Sequence, residues 1–112
     1  MEEKDLFSGK SPAVFDIYQR ILKEVKGFGK ITSETNQSSI HLKNKTAFGG
    51  VHPKKNWLDF NLVTDHPLKD KRITKVEQVS RNRYHNNFRF STPDEVDKSF
   101  ARLLKESYEL MK

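Results

Sequence analysis

The chain of 112 residues contains no cysteine, so disulfides, thiol catalysis and thiolate metal sites are excluded. It also lacks long apolar runs, and no stretch approaches the roughly eighteen consecutive apolar residues of a membrane-spanning helix. The charged opening, MEEKDLFSGK, has no apolar segment of the kind that signal peptides and membrane anchors require. These absences lead us to expect a cytoplasmic protein without membrane attachment.

Apolar residues make up only 34% of the chain, but eight phenylalanines supply much of the bulk that a core needs. A chain of this length normally forms one domain around one core. We therefore expect a single domain over residues 1–112. Residues 1–8 are expected to be a flexible arm, with Leu6 and Phe7 tucked against the body.

The net charge of +6 is distributed unevenly along the chain. Residues 41–89 hold eleven basic and four acidic side chains, a net charge of +7, whereas residues 1–40 are neutral and residues 90–112 carry −1. A lysine-rich solvated surface is one interpretation of this excess. The other is a patch that binds phosphate or another anion.

The segment 39–63 (SIHLKNKTAFGGVHPKKNWLDFNLV) predicts three short strands joined by two tight turns. Alternation with a period of two places Leu58, Phe60 and Leu62 on one face of the third strand. The opposite face of that strand carries Trp57, Asp59 and Asn61. Gly49-Gly50 inside the middle strand indicates a β-bulge, or a close approach by another group.

Helices are predicted on both sides of this segment. The first begins at Ser11-Pro12, ends at Gly27, and carries an apolar stripe at three- and four-residue spacing formed by Val14, Ile17, Tyr18, Ile21, Leu22 and Val25. The second opens at residues 92–95, where Thr92 and Glu95 have the spacing of a capping box. Its predicted buried stripe consists of Val96, Phe100, Leu103, Leu104, Ser107 and Met111.

Further strands are predicted over residues 29–34, 72–79 and 84–90, and the last alternates well, with Phe88 and Phe90 pointing inward. The fold class predicted is α+β. It consists of a mostly antiparallel sheet of five or six strands, with an N-terminal and a C-terminal helix on one face. The strand order around residues 64–82 is left undetermined.

Several segments taken in order resemble a known family. They are FSGKSP, the run IHLKN…AFGGVHPKKNWLDFNL, and YHNNFRFSTPDEVD leading into LLKESYELM. Together they extend from Phe7 to Met111 and resemble the bacterial family catalogued as domain of unknown function 5655. The resemblance implies a small α+β domain and no established catalytic residues. Residues 64–82 match the family pattern least.

A candidate working surface follows from the predicted sheet. If both helices cover the side of Leu58 and Phe60, the open side displays His41, Lys43, Trp57, Asp59, Asn61, His85 and Arg89. An aromatic ring among cations on a sheet face can stack bases and hold phosphates. We therefore predict an anion-binding or nucleic-acid-binding site formed by His41, Lys43, Trp57, Asn61, His85 and Arg89. The alternative is that the 64–71 loop or a second subunit covers Trp57, which then only packs.

No catalytic motif, cofactor motif or metal-ligand spacing is recognisable, and the four histidines include no close pair in the sequence. The leading hypothesis is a non-catalytic binding module whose basic open face engages an anionic partner, with nucleic acid favoured. The alternative is a protein–protein interaction or homodimerisation module that uses the same face. A third, minority hypothesis is a small-ligand enzyme that uses His41 and His85 with Asp59, provided that the strands of the two histidines are neighbours.

Overall fold

The computed structural model describes residues 3–111. It contains one six-stranded antiparallel sheet and two α-helices, which confirms the predicted α+β class. The helices are α1 (Pro12–Lys26) and α2 (Lys98–Leu110). The strands are β1 (Thr32–Thr35), β2 (Ile40–Lys43), β3 (Ala47–Pro53), β4 (Leu58–Thr64), β5 (Ile73–Ser80) and β6 (Arg83–Phe90).

The strand order is β1-β2-β3-β4-β6-β5. The first four strands follow one another as a meander, but β4 pairs with β6, and β5 lies outside β6 at the edge of the sheet. Because β4 and β5 are both antiparallel to β6, they run in the same direction. The connection over residues 65–72 therefore has to cross β6.

Asn86, which is fully buried in β6, holds this crossover in place. Its amide donates hydrogen bonds to the carbonyl oxygen of Leu62 at 3.1 Å and to Oγ1 of Thr64 at 2.8 Å. Its side-chain oxygen accepts a hydrogen bond from the backbone N–H of Leu68 at 3.0 Å. One buried amide thus joins the end of β4 to the loop that follows it.

The core lies between the helices and one face of the sheet, as the alternation predicts. Leu58, Phe60 and Leu62 are fully buried. Phe100 of α2 meets the rings of Phe60, Phe88 and Phe90 edge-on, with ring centroids 4.8–5.6 Å apart. The α1 stripe is buried as well, at Val14, Ile17, Tyr18, Ile21 and Val25, and Leu22 is partly buried against it.

The second helix begins later than the capping-box pattern predicts. Residues 93–95 form a separate 3-10 turn, which ends where Val96 adopts φ −84° and ψ 78°. The true N-cap is Asp97, whose carboxylate accepts the backbone N–H of Phe100 at 2.9 Å. Glu95 accepts the backbone N–H of Thr92 at 2.9 Å, so this capping contact serves the turn rather than α2.

At the start of the described residues, Leu6 and Phe7 pack against the body of the domain. Residues Glu3–Phe7 form a 3-10 helix in which Leu6 is buried. The ring of Phe7 stacks on Tyr18 of α1, with the centroids 5.1 Å apart. Met1 and Glu2 lie outside the described residues.

The double glycine coincides with both features that the sequence indicated. Between β2 and β3, Leu42 pairs with Gly49 but Lys43 pairs with Ala47, so Phe48 is the extra residue of a β-bulge. A Cβ atom at Gly49 would lie 2.3 Å from Cζ of Phe60, which explains why the strand has glycine there. The hydroxyl of Ser107 in α2 contacts the carbonyl oxygen of Phe48 at 3.0 Å and that of Val63 at 2.5 Å, which fastens the helix to the bulge.

Candidate functional site

The strand register places the predicted site residues that lie within strands on the face opposite the helices. Trp57 directly precedes β4 and packs under Arg89 of that face. His41 pairs with Gly50, which pairs with Asn61, and these three positions form one row across β2, β3 and β4. A second row joins His52, Asp59 and Arg89 across β3, β4 and β6. His85 and Arg89 share this face because they alternate with the fully buried Phe88 and Phe90.

This open face is concave and contains a groove with a volume of about 360 Å³. Of the predicted residues, His41, Asn61 and His85 line the groove, and His52 and Arg83 also contribute to it. Its remaining lining comes from Thr46, Ala47, Gly49, Gly50, Val63, Val79, Ser80 and Met111. Within residues 3–111, no carboxylate lines the groove.

Gly50 opens the floor of the groove. A Cβ atom at this position would lie 3.3 Å from Nε2 of His52, 3.5 Å from Cδ2 of His41 and 3.9 Å from Cβ of Asn61. The missing side chain therefore leaves a gap between the two imidazole rings. Since Gly50 does not have a positive φ angle, this space, rather than backbone conformation, is what its glycine provides.

The two imidazoles beside Gly50 differ in their surroundings. Nδ1 of His41 lies 3.2 Å from the side-chain amide nitrogen of Asn36, and when that amide donates, the neutral ring carries its proton on Nε2. Burial lowers the pKa of His52, and the charges of Lys54 and His41 lower it further, while Asp59 opposes them. At neutral pH, His52 is therefore a neutral hydrogen-bonding group rather than a cation.

His41 and His85 are not on neighbouring strands, because β3 and β4 lie between β2 and β6. The direct histidine pair required by the minority enzyme hypothesis therefore does not form. Asp59 is bound to Arg89, whose Nε lies 3.0 Å from its Oδ1. In the part of the chain that the structure describes, no three histidine or acidic side chains are grouped so that they could hold a metal ion.

Trp57 is half-buried, and one face of its ring is covered. The guanidinium carbon of Arg89 lies 4.7 Å from the ring centroid, and the same guanidinium binds the buried Asp59. The indole Nε1 is buried and has no hydrogen-bond partner among the described residues. A base could therefore stack on this face of Trp57 only after Arg89 had moved away.

The positive charge of residues 41–89 lies partly on the strands of the open face and partly in the turns at the strand ends, which form a basic rim. Lys43 binds Glu34 at 2.8 Å, and this contact lowers the pKa of the glutamate. Lys75 lies 3.7 Å from Glu77. The cations of residues 41–89 that lie in the turns at the strand ends are Lys45, Lys54, Lys55 and Arg81.

A second hollow, of about 320 Å³, lies beside the groove and shares Asn61 and His85 with it. It is also lined by Thr74, Lys75, Glu77, Asn87 and Arg89. Five of the six predicted residues thus line the two hollows or form an ion pair at their edge, and Trp57 packs under Arg89 beside them.

The sequence argument missed His52 and Arg83. The sequence His52-Pro53 is typical of a turn, but β3 extends to Pro53, which pairs with Leu58. Continuing the alternation two residues beyond Gly50 places His52 on the open face. The same alternation extended back from His85 places Arg83 there.

Among residues 3–111, neither helix is long and apolar enough to cross a membrane. The expected cytoplasmic location stays a prediction.

No curated protein and no solved structure gives a significant match to the chain. A family model described as a domain of unknown function matches residues 3–111, almost the whole chain. The chain therefore belongs to the domain-of-unknown-function family DUF5655, as its sequence motifs suggested.

Proposed function

We propose that the protein is a binding module whose open sheet face engages an anionic partner, and that single-stranded nucleic acid is the partner its chemistry fits best. The main support for this proposal is the set of side chains that line the groove. The groove offers three imidazoles, an amide and a guanidinium, and within the described chain no carboxylate lines it.

Charge pairing around the groove supports the same conclusion. The carboxylates of the face are Glu34, Asp59 and Glu77, and each lies within 4.0 Å of a lysine or arginine nitrogen. The carboxylates on the sheet are therefore neutralised and repel an approaching phosphate little. The lysines and arginines in the surrounding turns attract it. Such an arrangement attracts polyanions and makes their binding dependent on salt.

The shape of the face favours a single strand over a duplex. The groove and the hollow beside it share Asn61 of β4 and His85 of β6, and the imidazoles of His41, His52 and His85 line them. Unpaired bases can enter such depressions and stack on aromatic or imidazole rings, which paired bases cannot do. The backbone phosphates would then follow the basic rim.

Fluorescence anisotropy with labelled single-stranded and double-stranded oligonucleotides tests this proposal. Arg83→Ala should weaken single-strand binding and reduce the slope of log K against log salt by about 0.7, the share of one phosphate contact. Arg102→Ala is the matched control, because Arg102 is exposed on α2 on the opposite side of the molecule. Absence of binding at low salt, or equal effects of the two changes, would contradict the proposal.

The dimerisation alternative has less support, because Arg89 already covers one face of Trp57 and leaves less of the ring for a partner to contact. It predicts that sedimentation velocity gives a mass that rises with protein concentration, together with a concentration-dependent change in Trp57 emission. The proposed function predicts instead a monomer whose emission does not change on dilution.

A further inference from the structure

We infer that the groove accommodates one unstacked nucleotide unit, with its base in the gap above Gly50 and its phosphate at the end that carries Arg83. This inference rests on the proposed function and specifies the ligand of the same face. The chemistry required is that of a nucleoside monophosphate, either free or within a strand.

The size of the groove suits a small unit rather than a folded nucleic acid. Its volume of about 360 Å³ lies at the lower end of the range for small-molecule sites, which is about 300–1,000 Å³. The lining also combines apolar and polar side chains, as small-molecule sites require. Ala47, Val63 and Val79 provide apolar walls, and the imidazoles and the amide provide a few polar contacts.

The gap above Gly50 is suited to a flat ring. The imidazoles of His41, on the neighbouring strand, and of His52, two residues further along β3, both come within 3.5 Å of the point where a Cβ atom would lie. Histidine is one of the side chains on which single-stranded bases stack. Because even a methyl group would partly fill the gap, we expect a side chain at this position to weaken ligand binding.

The groove also contains unused hydrogen-bonding groups. The Oδ1 atom of Asn61 is buried and accepts no hydrogen bond from residues 3–111. Buried polar atoms are normally paired, so an unpaired acceptor beside a cavity indicates a donor supplied by a ligand. Every nucleobase carries at least one N–H group that can meet this need, and Nε2–H of His41 offers a donor in return.

The phosphate position follows from charge. Among the described lining residues, Arg83 is the only arginine or lysine, and one of its N–H groups donates to the carbonyl oxygen of Asn82 at 2.8 Å. Asp65, whose pKa is lowered in part by the charge of Arg83, is already bound to His66 at 2.7 Å. The other N–H groups of the guanidinium can therefore hold a phosphate in its fork.

The test is an NMR titration of ¹⁵N-labelled full-length chain with the four nucleoside 5′-monophosphates, with a short oligonucleotide, and with an abasic oligonucleotide of equal charge. Amide shifts should centre on His41, Gly50, His52 and Asn61. The abasic strand should bind about tenfold more weakly than the normal strand, because the contact of a base with its ring platform is lost. Binding of monophosphates at the same residues identifies a free-nucleotide site, and binding of oligonucleotides alone identifies a strand site.

Gly50→Ala should weaken nucleotide binding at least about tenfold by filling the gap. Gly27→Ala is the matched control, because it adds the same methyl group at the C-terminus of α1 without a steric clash. The inference fails and the proposed function survives under three combined results. Gly50→Ala binds nucleotides as well as the natural chain does, the abasic strand binds as well as the normal strand, and Arg83→Ala still weakens binding. If no nucleic acid or nucleotide binds at low salt, both fail. The abasic comparison uses the unaltered protein, so it decides the inference even if Gly50→Ala does not fold.

Discussion

The guanidinium of Arg89 lies over the indole ring of Trp57, with 4.7 Å between its central carbon and the ring centroid. The same guanidinium neutralises Asp59, which is only 7% exposed. One exposed arginine thus shields an aromatic ring and a nearly buried carboxylate. This makes the contact structural, whatever else the face binds.

Arg89→Ala should therefore change both stability and fluorescence. The free energy of unfolding should fall by about 1–3 kcal/mol, because the Asp59 carboxylate loses its partner. The emission of Trp57, the only tryptophan, should move to longer wavelength as water reaches the ring. Urea denaturation and emission spectra measure the two effects, with Arg102→Ala as the control. Adding Asp59→Asn should recover part of the lost stability, and no recovery would mean that the carboxylate is not the cause.

The two adjacent glycines should respond very differently to alanine. At Gly49 the new methyl group would collide with the Phe60 ring at 2.3 Å, which should reduce stability by about 1–3 kcal/mol or more through overpacking. At Gly50 the nearest atom would be 3.3 Å away on a partly exposed histidine, so the stability should change by less than about 1 kcal/mol. Thermal denaturation of the two variants measures the difference. Similar losses of stability in the two variants would show that packing against Phe60 does not distinguish Gly49 from Gly50.

Ser107→Ala should destabilise the protein although it removes only one oxygen atom. The hydroxyl lies 3.0 Å from the carbonyl oxygen of Phe48 and 2.5 Å from that of Val63, in a fully buried position. We expect a loss of about 1–3 kcal/mol in the free energy of unfolding, because a buried carbonyl group loses its hydrogen-bond donor. Ser91→Ala, in an exposed turn, should have almost no effect in the same urea denaturation assay. Equal stability of both variants would mean that the helix is not held to the bulge in this way.

Acid should weaken the start of α2. The backbone N–H of Phe100 is the main cause that lowers the pKa of Asp97 to about 2, and Arg72 and Ser99 lower it further, against an opposing effect of burial. Because the pKa is lower in the folded protein than in the unfolded chain, this stabilisation is present above about pH 4 and disappears as the pH falls to about 2.

Urea denaturation between pH 6 and pH 2 measures this effect. Asp97→Asn keeps a side-chain oxygen that can cap the helix but cannot be protonated, so its stability should fall less steeply over that range. A residual slope is expected from Asp70, whose pKa Arg72 also lowers. Identical pH profiles for the variant and the natural chain would contradict the assignment.

Alternation with a period of two was sufficient to place the open face. It assigned His41, Asn61 and His85 correctly, because one side of each strand had to be buried under the helices. It could not give the order of the strands, because that depends on contacts between distant residues. The pairing of β4 with β6 is held partly by Asn86, a buried polar residue that no periodic pattern singles out.

The start of α2 was misplaced for a different reason. The residues at 92–95 do form a capping contact, but φ and ψ at Val96, which is buried, interrupt the helix before it can continue. Likewise, the covering of Trp57 depends on Arg89, which is thirty-two residues away in the sequence and reaches Trp57 only because β4 and β6 are adjacent. Local patterns therefore predict which residues share a face, but not which of them neutralise or cover one another.

The position of β6 between β4 and β5 affects how the chain can assemble during synthesis. The edge of β4 that pairs with β6 stays unpaired until β6 has left the ribosome. Strand β5 is synthesised before β6 and runs in the same direction as β4. Parallel pairing of β5 with β4 would be a premature mispairing that has to be undone. The short turn at residues 81–82 lets β5 and β6 form a local hairpin first, since hairpins close in microseconds. The hairpin can then dock through β6, and the part of the candidate binding face that carries Arg83, His85 and Arg89 forms only in that step.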